Sequence, residues 1–414
     1  MSKVAEDLPA IAGGAPAKQT PYGTQTRYGE EELEELRQAL EQGSLFREHG
    51  QKVRQLEAQF AEKNGVPYAV AVSSGTASIH VAMTALGISP GDEVILSPIT
   101  DMGSVVPVLF QGAIPVFADL DQDTHTLLPE SVEANVTPKT RAVLAVHLWG
   151  NACDLNALRG ICQKHKLHLI EDCAQAFGCT YEGKPIGTIG VIGCFSLNEF
   201  KHISCGDGGI AITRDEELAK RLKLSADKCY NREAGAAIRN PKFLAANYRI
   251  TELQGAVALA QLRKLDGIVA RRRAYAQGLT EALSGVEGIS LPKPTPGCEP
   301  SWWFYMIRVQ PDVLGVDADE FAKALSLEGV PAGAHYIGQP IYEYPIFANH
   351  SAFERGSHPY VERTYARGLC PNAEQILLTC VILRVNEAFT ETDMRETAHA
   401  VRRVAKWFAE HKGR

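Results

Sequence analysis

Ten cysteines are spread through the 414-residue sequence without one C-x-x-C spacing. That removes the ligand pattern of a zinc knuckle and the dithiol of a redox motif, so no metal is expected, and it suits small buried thiols in a reducing compartment. Dense runs of Lys or Arg are also absent and the formal net charge is -7. There is therefore no electrostatic footprint for nucleic acid or an anionic membrane, which leaves small molecules and other protein chains as partners. No stretch reaches the roughly 18 apolar residues of a membrane span. Near the start, Glu6 and Asp7 stand where a secretion signal requires an apolar run, and the expected location is the cytoplasm. Two phosphate-binding signatures are missing as well. No G-x-G-x-x-G follows a strand-like run, and "GCTYEGKP" has Pro185 where a P-loop needs Ser or Thr, so it reads as a turn. Internal repeats and low-complexity tracts are absent.

What is present is a chain that is 45% apolar and 22% charged, enough for one large domain and a smaller one, since single cores rarely grow past about 250 to 300 residues. From residue 68 short apolar runs alternate with helical ones: "YAVAV", "TASIHVAMTALG", "EVILSP", "IPVFADL", "RAVLAVHLWG", "LNALRGICQKHK", "LHLIED". Strands spaced by helices require crossover connections, which predicts an α/β domain with a mainly parallel sheet and helices on both faces. A long helical stretch runs from Thr251 to about Leu283, with Gly267 as a candidate bend. Beyond "GISLPKPTPGCEPS", a Pro/Gly-rich turn region, the strand "WWFYMIRV", the helix "DADEFAKALSLEG" and the closing helix "TDMRETAHAVRRVAKWFAEH" predict a smaller α+β domain. The expected division is 1–265 for the N-terminal segment and large domain, and 266–414 for the interdomain helix and small domain.

Three stretches carry chemistry. In "VSSGTASIH" a strand ends at Val72, and Ser73, Ser74, Gly75 and Thr76 open a helix. Free backbone N–H groups, hydroxyls and the positive helix end converge there, a place for a phosphate or simply a capped helix. In "LHLIEDCAQAFG", Asp172 ends a buried strand at the sheet edge where ligands of open α/β folds collect, with Gln175 three residues on. A carboxylate there serves equally well as a turn former. In "CFSLNEFKHISCGDGGIAI", Lys201 lies between a strand-like run and a glycine-rich step into another. Most lysines are solvated surface charges, but one desolvated at a strand end becomes a nucleophile toward carbonyls. Taken together, a phosphate cradle, a carboxylate able to keep a pyridine nitrogen protonated and an imine-forming lysine are what pyridoxal 5'-phosphate requires.

With those residues in place, the chain resembles the DegT/DnrJ/EryC1/StrS family of sugar and cyclitol aminotransferases, which have the type I PLP (aspartate aminotransferase-like) fold. The likeness runs nearly end to end, through "AVSSGTASIHVAM", "GAIPVFADLD", "VHLWGNACDLNAL", "NYRITELQGAVALAQL" and "HYIGQPIYEYPIF", and is most specific at "ED-x-A-Q" and "F-S-x-x-x-x-K…G-x-G-G". The resemblance implies that Lys201 forms the Schiff base, Asp172 pairs with the pyridinium nitrogen and Gln175 lies near the ring. Ser74, Gly75, Thr76 and Ser196 would hold the phosphate, joined by Asn247 from the neighbouring subunit of a homodimer with shared active sites. His335 and Tyr336 become candidate substrate contacts. The implied reaction moves an amino group from glutamate or glutamine to a keto sugar, commonly nucleotide-linked, or to a keto cyclitol, with Lys201 as base and acid in turn.

Two departures stand out. Family members usually carry a Thr followed by an aromatic that stacks on the cofactor, whereas this chain reads "SPITDMGSV". That puts Asp101 at the acceptor side. His202 follows the lysine directly. Relatives that dehydrate replace the lysine itself with histidine, but here Lys201 occupies the matching position, so transamination is expected over a PLP-dependent dehydratase. A PLP-binding regulator without turnover and a doubly wound domain for another phosphate ligand are the remaining readings.

Overall fold

The computed structural model describes residues 8–232 and 237–412; Glu6 and Asp7 lie outside them. Seven strands form the large sheet: β1 (Tyr68–Val72), β2 (Glu93–Leu96), β3 (Ile114–Phe117), β4 (Thr140–Val146), β5 (His168–Asp172), β6 (Ile192–Ser196) and β7 (Gly209–Thr213). Their order is β1-β7-β6-β5-β4-β2-β3. Strands β2 to β6 pair in parallel, while β7 runs antiparallel to both β1 and β6. The β2 to β5 runs are buried along almost their whole length, as expected of parallel strands covered on both faces. Strand β7 is the exception because β6 reaches it through the connection 197–208, which carries Lys201, and not through a helical crossover.

Register is what assembles the site. Val72 at the end of β1 is opposite Gly209, and Gly209 is opposite Ser196 at the end of β6. Asp172 at the end of β5 is opposite Cys194. The ends of β1, β5 and β6 therefore share one edge of the sheet. Close backbone approach enforces this: a Cβ on Gly209 would lie 2.2 Å from the Ser74 carbonyl oxygen, and one on Gly75 would lie 2.5 Å from the Ser196 Cβ.

The small domain is a four-stranded antiparallel sheet, β8 (Ile289–Ser290), β9 (Phe304–Val309), β10 (Ala332–Ala334) and β11 (Cys380–Arg384), in the order β8-β9-β11-β10. Helices Ala318–Leu327 and Glu391–His411 cover it, each opened by its own side-chain cap, Asp317 and Thr390. The helix Glu252–Leu283 runs through Gly267, the candidate bend, as one continuous helix. The N-terminal arm returns to the small domain: buried Lys18 bridges Asp393 (2.8 Å) and Glu396 (2.7 Å), and Glu328 accepts from the Ala10 and Ala17 N–H groups. The "YEGKP" turn is a tight hairpin, with Glu182 and Gly183 both in the left-handed region between Thr180–Tyr181 and Lys184–Pro185. Among the described residues no helix is long and apolar enough to cross a membrane.

Because the atom facing Gly209 is a backbone carbonyl that cannot rotate aside, Gly209→Ala should destabilise the protein by about 1–3 kcal/mol. A thermal melt reads this directly, and an unchanged midpoint would mean that the close approach of β7 to the Ser74 turn is not maintained in solution.

Candidate active site

The shared edge opens into a cleft of about 370 Å³ lined by, among others, Gly75, Thr76, Asp101, Asp172, Ser196 and Lys201. On one wall, helix Gly75–Leu86 begins directly after β1. Ser74 is its N-cap, with its Oγ accepting from the Ala77 N–H at 3.0 Å. The capping reading of this serine therefore holds, but it uses only the Ala77 donor. The N–H groups of Gly75 and Thr76 lie in the first turn, where no intrahelical acceptor exists. Both residues line the same cleft as Ser196, whose hydroxyl accepts from the Asn198 N–H at 3.3 Å. Backbone donors at a helix N-terminus beside two hydroxyls form a cradle for an anion.

Asp172 is the buried end of β5. Its Oδ2 accepts from the Ser104 hydroxyl at 2.6 Å and its Oδ1 from the Ala174 N–H at 3.0 Å. Burial pushes its carboxyl above the ordinary range, against the pull of Ser104, the Ala174 N–H and Lys201. The preceding residue, Glu171, is fully buried and saturated: it accepts from the N–H groups of Gly187 (2.6 Å), Ile189 (2.8 Å) and Gly190 (2.6 Å), and from His147 Nε2 at 3.1 Å. The Cys153 N–H donates to His147 Nδ1 at 3.2 Å, which assigns the ring hydrogen to Nε2. His147, Glu171 and Cys173 are close enough to hold a metal ion, yet these hydrogen bonds already occupy the carboxylate and both imidazole nitrogens.

Lys201 extends into the same cleft with its Nζ 4.0 Å from the centre of the Trp303 ring. Burial lowers the pKa of the amine, with Asp172 and Asp101 opposing, so the free base is more available than in an exposed lysine. Trp303 is fixed at both ends, its Nε1–H donating to the Phe200 carbonyl at 2.8 Å and its backbone N–H to the Trp149 carbonyl at 2.9 Å. Gln175 closes the opposite side: its Oε1 accepts from the Trp149 N–H (2.9 Å) and its amide donates to the Tyr336 hydroxyl (3.2 Å).

The remaining expected residues are placed differently. Asp101 is exposed in the cleft and is also the N-cap of helix Met102–Phe110, accepting from the Gly103 N–H at 2.7 Å. His335 is turned into the small domain, where Nδ1 bonds the Leu377 carbonyl (2.8 Å) and Nε2 bonds Asp319 (2.9 Å). Partial burial opposes its charge, but the Asp319 carboxylate outweighs this and raises its pKa. Of the "HY" pair, only Tyr336 contacts a residue lining the cleft. Asn247 is exposed and does not line the cleft of its own chain. Its neighbour Tyr248 accepts the Ser73 N–H at 2.8 Å, and the long helix is capped by Thr251, not by Asn247. Sequence reasoning missed Ser104 and Trp303. Ser104 is one turn into a helix whose start is marked by Asp101, and the "WW" pair in the strand run was the only trace of Trp303.

The residues present fit pyridoxal 5'-phosphate: a backbone cradle that a Cβ would fill, a buried carboxylate with a hydroxyl donor, and a desolvated amine. Comparison with known proteins agrees. A family model described as the DegT/DnrJ/EryC1/StrS aminotransferase family matches residues 26–402. The chain is 33% identical over 413 residues to L-glutamine:2-deoxy-scyllo-inosose aminotransferase of Streptomyces kanamyceticus, covering 95% of this chain and 96% of that protein. It is 32% identical over 386 residues to the spore coat polysaccharide biosynthesis protein SpsC of Bacillus subtilis (strain 168), covering 91% and 95%. The crystal structure of S. venezuelae DesV in complex with a ketimine intermediate superposes with a TM-score of 0.80 at 32% identity, covering 91% of this chain and 94% of that one. With the type I PLP fold and the family motifs both in place, the chain belongs to the DegT/DnrJ/EryC1/StrS family of PLP-dependent aminotransferases.

Proposed function

We propose that this aminotransferase takes the amino group of glutamate or glutamine and delivers it to a keto sugar, commonly nucleotide-linked, or to a keto cyclitol. The observation that carries the reading is the convergence of Lys201, Asp172 and the Gly75–Thr76 helix start on one cleft. The family assignment and the relatives that act on an inosose and in polysaccharide biosynthesis support the acceptor class.

Pyridoxal 5'-phosphate, when bound, supplies an electron sink for a carbanion formed at the amine-bearing carbon. Gly75 and Thr76 N–H groups with Ser196 would bind its phosphate, and Asp172 would hold its ring nitrogen in the charged form. Lys201 would hold the cofactor covalently through its Nζ, and the same amine, when free, would move a proton; burial lowers its pKa, which favours the proton-accepting form. Trp303 gives the released amine a place against its ring face. Gln175 and Tyr336 close one side, and exposed Asp101 is positioned to accept from hydroxyls of the acceptor. Asn247, outside its own chain's cleft, would serve the phosphate of a partner subunit. The almost fully exposed Leu244 nearby (94%) and exposed Leu33 and Leu40 on helix Glu30–Glu41 are apolar surface that a homodimer would cover.

Reduction of the holoprotein with borohydride should fix the cofactor on Lys201, and Lys201→Ala should abolish the fixed label while still binding cofactor; a label on any other lysine refutes the assignment. The shared site has its own test. Lys201→Ala and Asn247→Asp, each inactive alone, should regain activity when refolded together. About half the dimers are then mixed, and each mixed dimer holds one intact site, so about a quarter of all sites recover. Activity that stays at the level of the separate variants, with mixed dimers shown to be present, means Asn247 serves its own chain.

A further inference from the structure

While Asp172 is ionised, the hydroxyl bonds that reach it through Ser104 run in one direction only. Ser104 has a single hydroxyl hydrogen, and it points to Asp172 Oδ2 at 2.6 Å. The Thr100 and Ser104 hydroxyl oxygens are 2.7 Å apart. While Asp172 is ionised it accepts only, so Ser104 must donate to it and Thr100 must donate to Ser104. All three side chains are buried, at 2%, 3% and 4% exposure for Thr100, Ser104 and Asp172. Each bond therefore polarises the next in a medium that screens little.

A proton on Asp172 Oδ2 directed at Ser104 reverses the chain. The carboxyl would donate to Ser104, Ser104 to Thr100, and the Thr100 hydrogen would need a new acceptor. Among the described residues Thr100 Oγ1 has no hydrogen-bond partner but Ser104, so reversal strands a buried hydroxyl, which is unfavourable. At the other oxygen, the Ala174 N–H donates to Oδ1 and likewise favours the anion. We propose that Thr100 and Ser104 form a one-directional hydroxyl relay that holds Asp172 as a carboxylate, making both of them positioning residues of the site. The relay lies at the entrance to helix Met102–Phe110, on either side of Asp101: Ser104 is in the first turn, and its backbone N–H bonds the Asp101 carbonyl at 3.0 Å. One short segment thus presents Asp101 to the open cleft, the Ser104 hydroxyl to the carboxylate and the Thr100 hydroxyl to Ser104. The value of the relay to catalysis rests on the reading of Asp172 as partner of the cofactor's ring nitrogen; its effect on Asp172 itself does not.

Burial acts against the relay by raising the Asp172 carboxyl, so removing a donor should raise it further. The titratable groups around Asp172 are Lys201 from the β6–β7 connection, His147 after β4, Glu171 and Cys173 beside it in sequence, Cys194 on β6, and Asp101 across the cleft near Lys201. Substitutions at Thr100 and Ser104 leave all of them in place. The test is a pH titration of the full-length, cofactor-free protein, following the carboxylic C=O stretch of protonated Asp172 by infrared difference spectroscopy, with the band assigned by its loss in Asp172→Asn. Ser104→Ala should raise the midpoint by about one pH unit or more, Thr100→Val should raise it by less, and Ser104→Thr should restore it toward the wild-type value. Thr100→Val is nearly isosteric, so it carries the test if Ser104→Ala fails to fold. A midpoint that stays put or falls in either folded variant overturns the relay. Affinity for pyridoxal 5'-phosphate, measured by dialysis on the same proteins, separates the two claims. A raised midpoint with weakened binding supports both; a raised midpoint with unchanged binding supports the relay and counts against Asp172 as the ring partner.

Discussion

A carboxylate carried into the interior of a sheet must find donors for its lone pairs or take up a proton, and Asp172 is under that constraint. Its environment is built to answer it. The Ala174 N–H comes from the turn that ends β5, and the Ser104 hydroxyl from a helix start delivered by β2. Hydrogen bonds to an ionised group are worth about 1.5–3 kcal/mol each, enough to offset much of the burial that works against the charge. The neighbouring Glu171 solves the same problem completely, with three backbone N–H groups and His147. The contrast assigns them different work. A saturated carboxylate pins the 187–190 loop beneath the site, whereas Asp172 keeps a face on the cleft for a ligand.

The lysine is governed by the same low-dielectric edge with the opposite sign of charge. Burial disfavours its ammonium form while Asp172 and Asp101 favour it, and the Trp303 ring face gives the charge a weakly stabilising surface at 4.0 Å. An amine shifted toward its free base is better able to accept a proton than an exposed lysine. The backbone that presents these groups is held by contacts with no slack: Gly75 against Ser196, and Gly209 against the Ser74 carbonyl. The helix N-terminus and the lysine connection therefore keep a fixed spacing without any ligand contact.

Strands β1 to β4 were legible because each is a short apolar block followed by a helical period, with β5 as the apolar block that closes the series, and that pattern predicts the parallel sheet. Lys201, Asp172 and the Gly75–Thr76 turn were legible as a set because each stands at the end of such a block, and parallel strands bring like ends to one edge. The strand β7 was legible as an apolar run but its antiparallel direction was not, since nothing local distinguishes a 12-residue connection without a helix from one with a short helix. Ser104 escaped notice because its role depends on the rotation of a helix relative to β5, a tertiary fact. His335 was misleading for a related reason. Adjacent left-handed residues at 335 and 336 send the two side chains apart, so Tyr336 reaches Gln175 while His335 reaches Asp319. Asp101 carries two roles at once, cap and cleft carboxylate, which one residue letter cannot separate.

The buried carboxylate at the end of β5 is tested most directly by the turnover of Asp172→Asn. The amide has nearly the same shape and can still accept from Ser104, but it cannot balance a positive ring nitrogen. The variant should keep bound cofactor and lose transamination by about 10² to 10⁴. Near-wild-type turnover with cofactor bound would contradict the account.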